Sequence, residues 1–297
     1  MGVHIGIDLG GTNVRVASVT DNGEVEEMMQ EATEAEQGSR YTIEKMIRMV
    51  ESISEGKQIE GIGIGAPGPL DPARGVILDP PNLPGWDEVP IVKHFADHFD
   101  VPVQLNNDAN AAALAEARFG SGEGYESVFY ITVSTGVGGG LVLNGKVLNG
   151  AQGYAGEIGN MILNPHGYQY SNLNKGALES YSSGTAMAER FHEHFGSYGG
   201  AEDVFSLVSQ GDEKAQRIVD EAIEYLAMGI ANITHIVNPD VFVLGGGVMN
   251  AGELIWVPLR DRLEDYLYPG LVPHINLKPA ALSGEAGVIG AALLPQQ

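Results

Sequence analysis

Val3-His4-Ile5-Gly6-Ile7-Asp8-Leu9-Gly10-Gly11-Thr12-Asn13-Val14-Arg15-Val16-Ala17-Ser18-Val19 reads as a buried strand, a glycine turn and a second strand. The pattern returns further along the chain. Ser127 to Ser134 reads as a strand, Thr135 to Gly140 as a glycine-rich turn and Leu141 to Leu143 as a strand, followed by the hairpin signal Asn144-Gly145. A strand–glycine turn–strand unit that occurs twice points to two related lobes, each offering one backbone loop to the same ligand.

Working outward, Asp21-Asn22-Gly23 is a hairpin signal before a third strand. Ile43 to Ile53 has helical spacing, and Ile59 to Gly65 is a strand that runs into the loop Ala66-Pro67-Gly68-Pro69. Val101 to Asn106 reads as a short strand, and Ala109 to Arg118, rich in alanine and leucine, as a helix. Ala215 to Val237 carries the clearest helical period, with Ile218, Ala222, Leu226 and Ile230 four apart. Val241 to Leu244 reads as a strand, Gly245-Gly246-Gly247 as a loop, and Gly287 to Leu294 as a small-residue helix. Strands alternating with helices imply an α/β fold. The expected division is a small lobe, 1–120, to which a C-terminal helix at about 285–297 returns, and a large lobe, 121–284.

Composition narrows the function classes. The 297 residues contain no cysteine, which excludes disulfides, thiolate metal sites and a cysteine nucleophile. Thirty-nine acidic against sixteen basic residues leave a net charge of −23, which argues against a nucleic-acid or anionic-membrane partner. The acidic excess reads either as a solvated, soluble surface or as adaptation to high salt. Met1 to Thr20 has no basic leader and no apolar run is long enough to span a bilayer, so a cytoplasmic location is expected. The eight histidines show no metal-ligand spacing.

Three glycine loops carry candidate phosphate chemistry. In Asp8-Leu9-Gly10-Gly11-Thr12-Asn13, two glycines let backbone N–H groups approach phosphate oxygens, Thr12 and Asn13 add side-chain donors, and Asp8 can orient waters around Mg²⁺. Ser134-Thr135-Gly136-Val137-Gly138-Gly139-Gly140 follows the same logic. Gly245-Gly246-Gly247-Val248 suits a flat adenine and ribose lying against backbone, or serves as a plain strand-to-helix turn. There is no Gly-x-x-x-x-Gly-Lys-Ser/Thr loop. Gly63-Ile64-Gly65-Ala66-Pro67-Gly68 matches the dinucleotide fingerprint by coincidence, because Pro67 and Pro69 stand where its helix should open.

Asn106-Asn107-Asp108 lies between a strand and a helix. Asp108 at that helix N-terminus reads equally as an N-cap or as a general base that takes the proton of an attacking hydroxyl. Glu157 in Gly156-Glu157-Ile158-Gly159-Asn160 and Glu179 in Ala177-Leu178-Glu179-Ser180 are candidate acceptors for vicinal sugar hydroxyls, and Asn82 and Trp86 sit in a proline-rich loop that can wall a pocket.

Taken together these segments resemble the bacterial ROK family (repressors, open reading frames and kinases), and within it the glucokinases. The likeness runs through Asp8 to Thr12, Ala66-Pro67-Gly68, Asn82-Leu83-Pro84-Gly85-Trp86, Asn106 to Asn110, Thr135 to Gly140, Gly156 to Gly159, Glu179 and Gly245 to Gly247. The resemblance implies a two-lobed, actin-like ATPase (ribonuclease H-like) fold with the active site in the interlobe cleft. It implies ATP and Mg²⁺ as cofactors, a hexose (glucose foremost) as the small-molecule partner, and a homodimer or homotetramer. It assigns Asp108 as catalytic base, Gly68, Asn82, Asn107, Asp108, Glu157, Asn160 and Glu179 to the sugar, Asp8, Gly10, Gly11, Thr12, Asn13, Thr135 and Gly136 to the phosphates, and Gly246 and Gly247 to the adenosine. The implied activity is phosphorylation of the sugar 6-hydroxyl; the same resemblance admits fructose, mannose, allose or N-acetylmannosamine, or a non-catalytic sugar sensor. One departure stands out. Where the family has a histidine and three cysteines that bind structural zinc, this chain has Asn160, Tyr170, Asn172 and Ala177, so no structural zinc is expected.

Overall fold

A computed structural model describes residues 2–170 and 172–297. The strands are β1 (Gly2–Leu9), β2 (Asn13–Val19), β3 (Val25–Ala32), β4 (Gln58–Ala66), β5 (Leu70–Asp71), β6 (Val76–Ile77), β7 (Val103–Asn107), β8 (Ser127–Val133), β9 (Val137–Leu143), β10 (Lys146–Val147), β11 (Val241–Gly245) and β12 (Leu277–Pro279). The helices are α1 (Ser39–Ile53), α2 (Ile91–His98), α3 (Asp108–Phe119), α4 (Glu179–Ser182), α5 (Gly184–Phe195), α6 (Ala201–Ser209), α7 (Glu213–Ile236), α8 (Glu253–Glu264) and α9 (Ala286–Leu293). Two compact units form: Met1–Tyr130, Gly140–Gly156 and Ala281–Gln297 in the first, and Ile131–Gly139 and Glu157–Ala280 in the second.

The first unit is built on a sheet of order β3-β2-β1-β4-β7. The hairpins pair β1–β2 and β2–β3 antiparallel, while β1–β4 and β4–β7 are parallel. Period-two alternation in β1 decides both faces. Val3, Ile5, Ile7 and Leu9 point into a core with Met46, Met49 and Val50 of α1. The opposite face carries the intervening Gly6, and α9 lies there so closely that a methyl group at Gly6 would overlap the Val288 carbonyl. Gly63 of β4 stands in the same relation to the Ala291 carbonyl. The glycines that mimic a dinucleotide fingerprint therefore include one whose role is helix-to-sheet packing.

A second sheet has the order β10-β9-β8-β11-β12, and the division between the units falls within β8 and β9. The glycine turn in this sheet is shorter than the sequence suggests: Ser134–Gly136 turns, and Gly138–Gly140 continue as β9. Gly140 belongs to the strand because a side chain there would press on Ala113 of α3, 2.8 Å from its Cβ. In the second unit α7 is capped by Asp212, whose Oδ1 accepts the Lys214 and Ala215 N–H groups at 2.8 and 3.0 Å. Its buried stripe, including Ile218, Ala222, Leu226 and Ile230, is the one its period announces.

Candidate functional site

In the first unit, the register of the parallel strands brings three motifs to one edge. Asp8 pairs with Gly65 across β1–β4, and Gly65 with Asn106 and Ala66 with Asn107 across β4–β7. The carboxyl ends of β1, β4 and β7 thus present Asp8 with Gly10–Asn13, the turn Pro67-Gly68, and Asn107-Asp108 side by side, the place where open α/β sheets bind ligands. The Gly10 turn is fixed by its N–H bond to the Asn13 carbonyl (2.9 Å) and by Thr33 Oγ1, which donates to the Gly10 carbonyl at 2.6 Å. Gly11 faces the proline-rich loop: a Cβ on it would lie 2.7 Å from the Asn82 carbonyl and 3.0 Å from Asn82 Cβ. Asn82 is anchored by its fully buried neighbours Leu83 and Trp86.

The β7–α3 junction shows which residue of the Asn-Asn-Asp run precedes the helix. Asn107 is the N-cap, its Oδ1 accepting the Ala109 N–H at 2.9 Å. Asp108 occupies the first helical position, where the helix dipole favours a carboxylate. Its Oδ1 also accepts the Ala109 N–H, at 2.7 Å. Asn106, buried, holds the junction from below: its Oδ1 accepts from the Asn107 N–H (2.8 Å) and Asn110 Nδ2 (3.0 Å), and its Nδ2 donates to Asn149 Oδ1 (2.8 Å). Asn149 has no local sequence signal that ties it to this junction. Neither has Arg15, whose guanidinium pairs with Asp8 Oδ2, Nε donating at 3.0 Å. Asp8 therefore presents a carboxylate that already has a cationic partner.

In the second unit, Glu179 opens α4 and meets the second glycine turn. Its Oε2 accepts the Val137 N–H at 2.8 Å, and a side chain at Gly136 would sit 2.7 Å from the same oxygen. Gly159, directly after Ile158, is also packed there, 3.1 Å from Oε2 by the same measure. Thr135 and Ser134 are tied to the start of α5, the Ser134 carbonyl accepting the Gly184 N–H at 2.7 Å and the Thr135 carbonyl accepting the Thr185 N–H at 3.3 Å. Glu157 lies close enough to feel Glu179. Burial first, then the Glu179 charge, raises the Glu157 carboxyl above its ordinary value. Burial raises Glu179 too, against the lowering effect of the Val137 N–H. Glu179, half-buried, and Glu157, more open to solvent, form an acceptor pair for hydroxyl groups beside a glycine turn. Gly246 has φ 93° and packs on the Val133 backbone, so only glycine fits, and Gly247 begins a short 3-10 turn with open space beside it.

Asn160 is tied to the loop that follows it: its Oδ1 accepts the Asn174 N–H at 2.7 Å. Of the positions that would hold zinc by resemblance, Asn160 is thus engaged, Tyr170 accepts a hydrogen bond from Arg190, and Asn172 and Ala177 offer no zinc-type donor. This donor set does not fit Zn²⁺. Among the described residues, no helix is long and apolar enough to cross a membrane.

Comparison with known proteins fits this geometry. The profile described as the ROK family matches residues 4–297. The glucokinase of Thermotoga maritima is 33% identical over 302 residues, covering 97% of this chain and 95% of that protein. The crystal structure of the ROK hexokinase from Thermus thermophilus superposes with a TM-score of 0.90 at 38% identity, covering 98% and 97% of the two chains. A ROK family glucokinase from Streptomyces griseus, crystallised with glucose and AMPPNP, gives a TM-score of 0.82 at 32% identity over the whole of both chains. The fold is the two-lobed, actin-like ATPase architecture of these sugar kinases.

Proposed function

Since this chain belongs to the ROK family, we propose that it transfers the γ-phosphoryl group of ATP to the 6-hydroxyl of glucose. The observation that carries the reading is the edge of the first sheet, where the register sets Asp108, at the first position of α3, on the same edge as the Gly10–Asn13 turn, which faces the Asn82 loop. Asp108 accepts the proton as the hydroxyl oxygen attacks phosphorus and the γ–β bond breaks, ADP leaving. Glu157 and Glu179, with Asn82 and Asn107, accept and donate to the remaining sugar hydroxyls. Backbone N–H groups of Gly10–Thr12 and Thr135–Gly136 receive phosphate oxygens, and Gly246 and Gly247 take the adenosine. Mg²⁺ bound with the nucleotide supplies charge neutralisation, and Asp8 is the carboxylate suited to orient its waters. The protein is cytoplasmic and acts as a homo-oligomer on this reading.

A hexokinase of wider range is the second reading, favoured by the likeness to the Thermus thermophilus hexokinase. A coupled ADP-release assay over a hexose panel tests both. Turnover confined to glucose supports the first, comparable kcat/KM for mannose or fructose the second, and ATP consumption unaffected by any sugar overturns both.

A further inference from the structure

The loop that leads from Glu157 to Glu179 has no core of its own. Among its described residues, none from Asn160 to Lys175 is buried, yet it delivers Glu179 to a fixed oxygen-to-nitrogen distance from Val137. Backbone bonds close the loop on itself, as Leu163 and Asn164 N–H donate to the Gly176 carbonyl at 2.9 and 3.2 Å. Two side-chain bonds tie its first half to α7: Asn164 Nδ2 donates to the Tyr225 hydroxyl at 3.1 Å, and Asn232 Nδ2 lies 3.7 Å from Met161 Sδ.

The attachment of its second half is a stack of planar groups. Arg190, on α5, is 3% exposed. Its guanidinium carbon lies 3.1 Å from the centre of the Tyr168 ring and 5.2 Å from that of Tyr170, and its Nη1 donates to the Tyr170 hydroxyl. Nε donates to Glu221 on α7 at 3.2 Å, which fixes the plane of the group. Tyr168 in turn leans on Tyr181 (centroids 5.3 Å apart), and Tyr181 stacks on Tyr225 of α7 at 3.5 Å. The Tyr168 N–H donates to the Tyr181 hydroxyl at 3.2 Å. Tyr181 sits two residues beyond Glu179 in the same short helix.

We propose that Arg190 is a positioning residue for the sugar site, holding the 161–178 loop and α4 through Tyr168 and Tyr181 so that Glu179 faces the sugar. The assignment rests on the reading that Glu179 binds sugar. A flat, delocalised cation is required because it must stack on a ring and donate edgewise at once, which an ammonium group cannot do. A residue that merely filled space would not need the fork that reaches Tyr170 and Glu221.

The test compares Arg190→Lys, Tyr168→Leu and Tyr168→Phe with the wild type. Tyr168 is 39% exposed, so its variants fold even where a change at buried Arg190 does not. Arg190→Lys and Tyr168→Leu are expected to raise the glucose KM about tenfold while the ATP KM stays within twofold, and Tyr168→Phe, which keeps the ring, to restore the wild-type value. Trypsin cleavage after exposed Lys175 should quicken at least fivefold in the first two variants and not in the third. An unchanged glucose KM in folded Tyr168→Leu, or an equal rise in both KM values, would overturn the proposal. Absence of glucose turnover in the wild type would instead overturn the proposed function, and the Lys175 cleavage rates would still decide whether the stack orders the loop.

Discussion

At the scale of single residues, Asp108 and the glutamate pair carry opposite kinds of prediction. Asp108→Asn keeps the size of the side chain and its bond from the Ala109 N–H but cannot take a proton. A fall in kcat of about 10²–10⁴-fold is expected, with the glucose dissociation constant changed by less than about tenfold; single-turnover kinetics and calorimetry separate the two. Near-normal kcat in the folded variant would remove the base role. Glu157 and Glu179 accept most strongly from sugar hydroxyls when ionised, and burial raises both above the ordinary carboxylate range. The glucose KM is therefore expected to climb as pH falls, starting above the ordinary carboxylate range, and a profile of log(1/KM) against pH shows it. The sign for stability is opposite. An acid whose folded pKa is raised favours the folded state at low pH, and that contribution is lost as pH rises through the folded pKa. Glu179→Gln, which can still accept from Val137, should thus melt higher than the wild type at pH 8 and gain less at pH 5. The same substitution should weaken glucose binding about 10–100-fold, the loss of one charge-assisted hydrogen-bonding group. Asp108 was visible in the sequence as a carboxylate at a strand-to-helix junction, and Glu157 and Glu179 as carboxylates among small residues. Arg15 on Asp8, Asn149 on Asn106 and Arg190 on Tyr168 were not, since each partner lies across the fold and only the register and helix packing bring them together.

At the scale of elements, two glycines of one strand differ in how closely a helix packs on them. A methyl group at Gly63 would overlap the Ala291 carbonyl, which is backbone in α9 and cannot swing aside. At Gly65 the nearest atom is Ala111 Cβ at 3.4 Å, an ordinary contact. Gly63→Ala should cost about 3 kcal/mol and Gly65→Ala under about 1 kcal/mol, read from denaturant midpoints. Equal losses would mean that α9 does not set the Gly63 requirement. The repeated strand–turn–strand units were legible from apolar runs flanking glycine turns, and the long α7 from a four-residue stripe that buries one face. Helices α6 and α8 were not: α8 carries Pro258 within it, and α6 follows Gly200, which reads as loop. The loop before α4 adds a compositional prediction. With Asn160, Tyr170, Asn172 and Ala177 at the positions in question, purified protein should hold less than about 0.1 zinc per chain, and EDTA should leave the glucose KM unchanged. Stoichiometric zinc would overturn this.

At the scale of the whole molecule the deciding quantity is charge. Sixteen lysines and arginines cannot neutralise thirty-nine carboxylates even when each is paired. Several of these cations already serve more than one acid. Lys57 lies 3.3 and 3.4 Å from Glu26 and Glu27, and Arg262 lies 2.8 and 3.7 Å from Glu224 and Asp265. Exposed pairs of this kind contribute roughly 0–1 kcal/mol each and weaken with salt. The unpaired excess works the other way: like charges repel across the surface, and the repulsion shrinks as the screening length falls from about 10 Å at 0.1 M salt to about 3 Å at 1 M. Because acids outnumber bases more than two to one, relief of repulsion outweighs the loss of pairs, and Tm should rise by several degrees between 0.05 and 1 M KCl. Chloride is the right anion for the measurement, since sulfate would strengthen apolar burial by exclusion and give the same sign for another reason. A Tm that falls with KCl would show that the ion pairs, and not the net charge of −23, dominate the electrostatics of the fold.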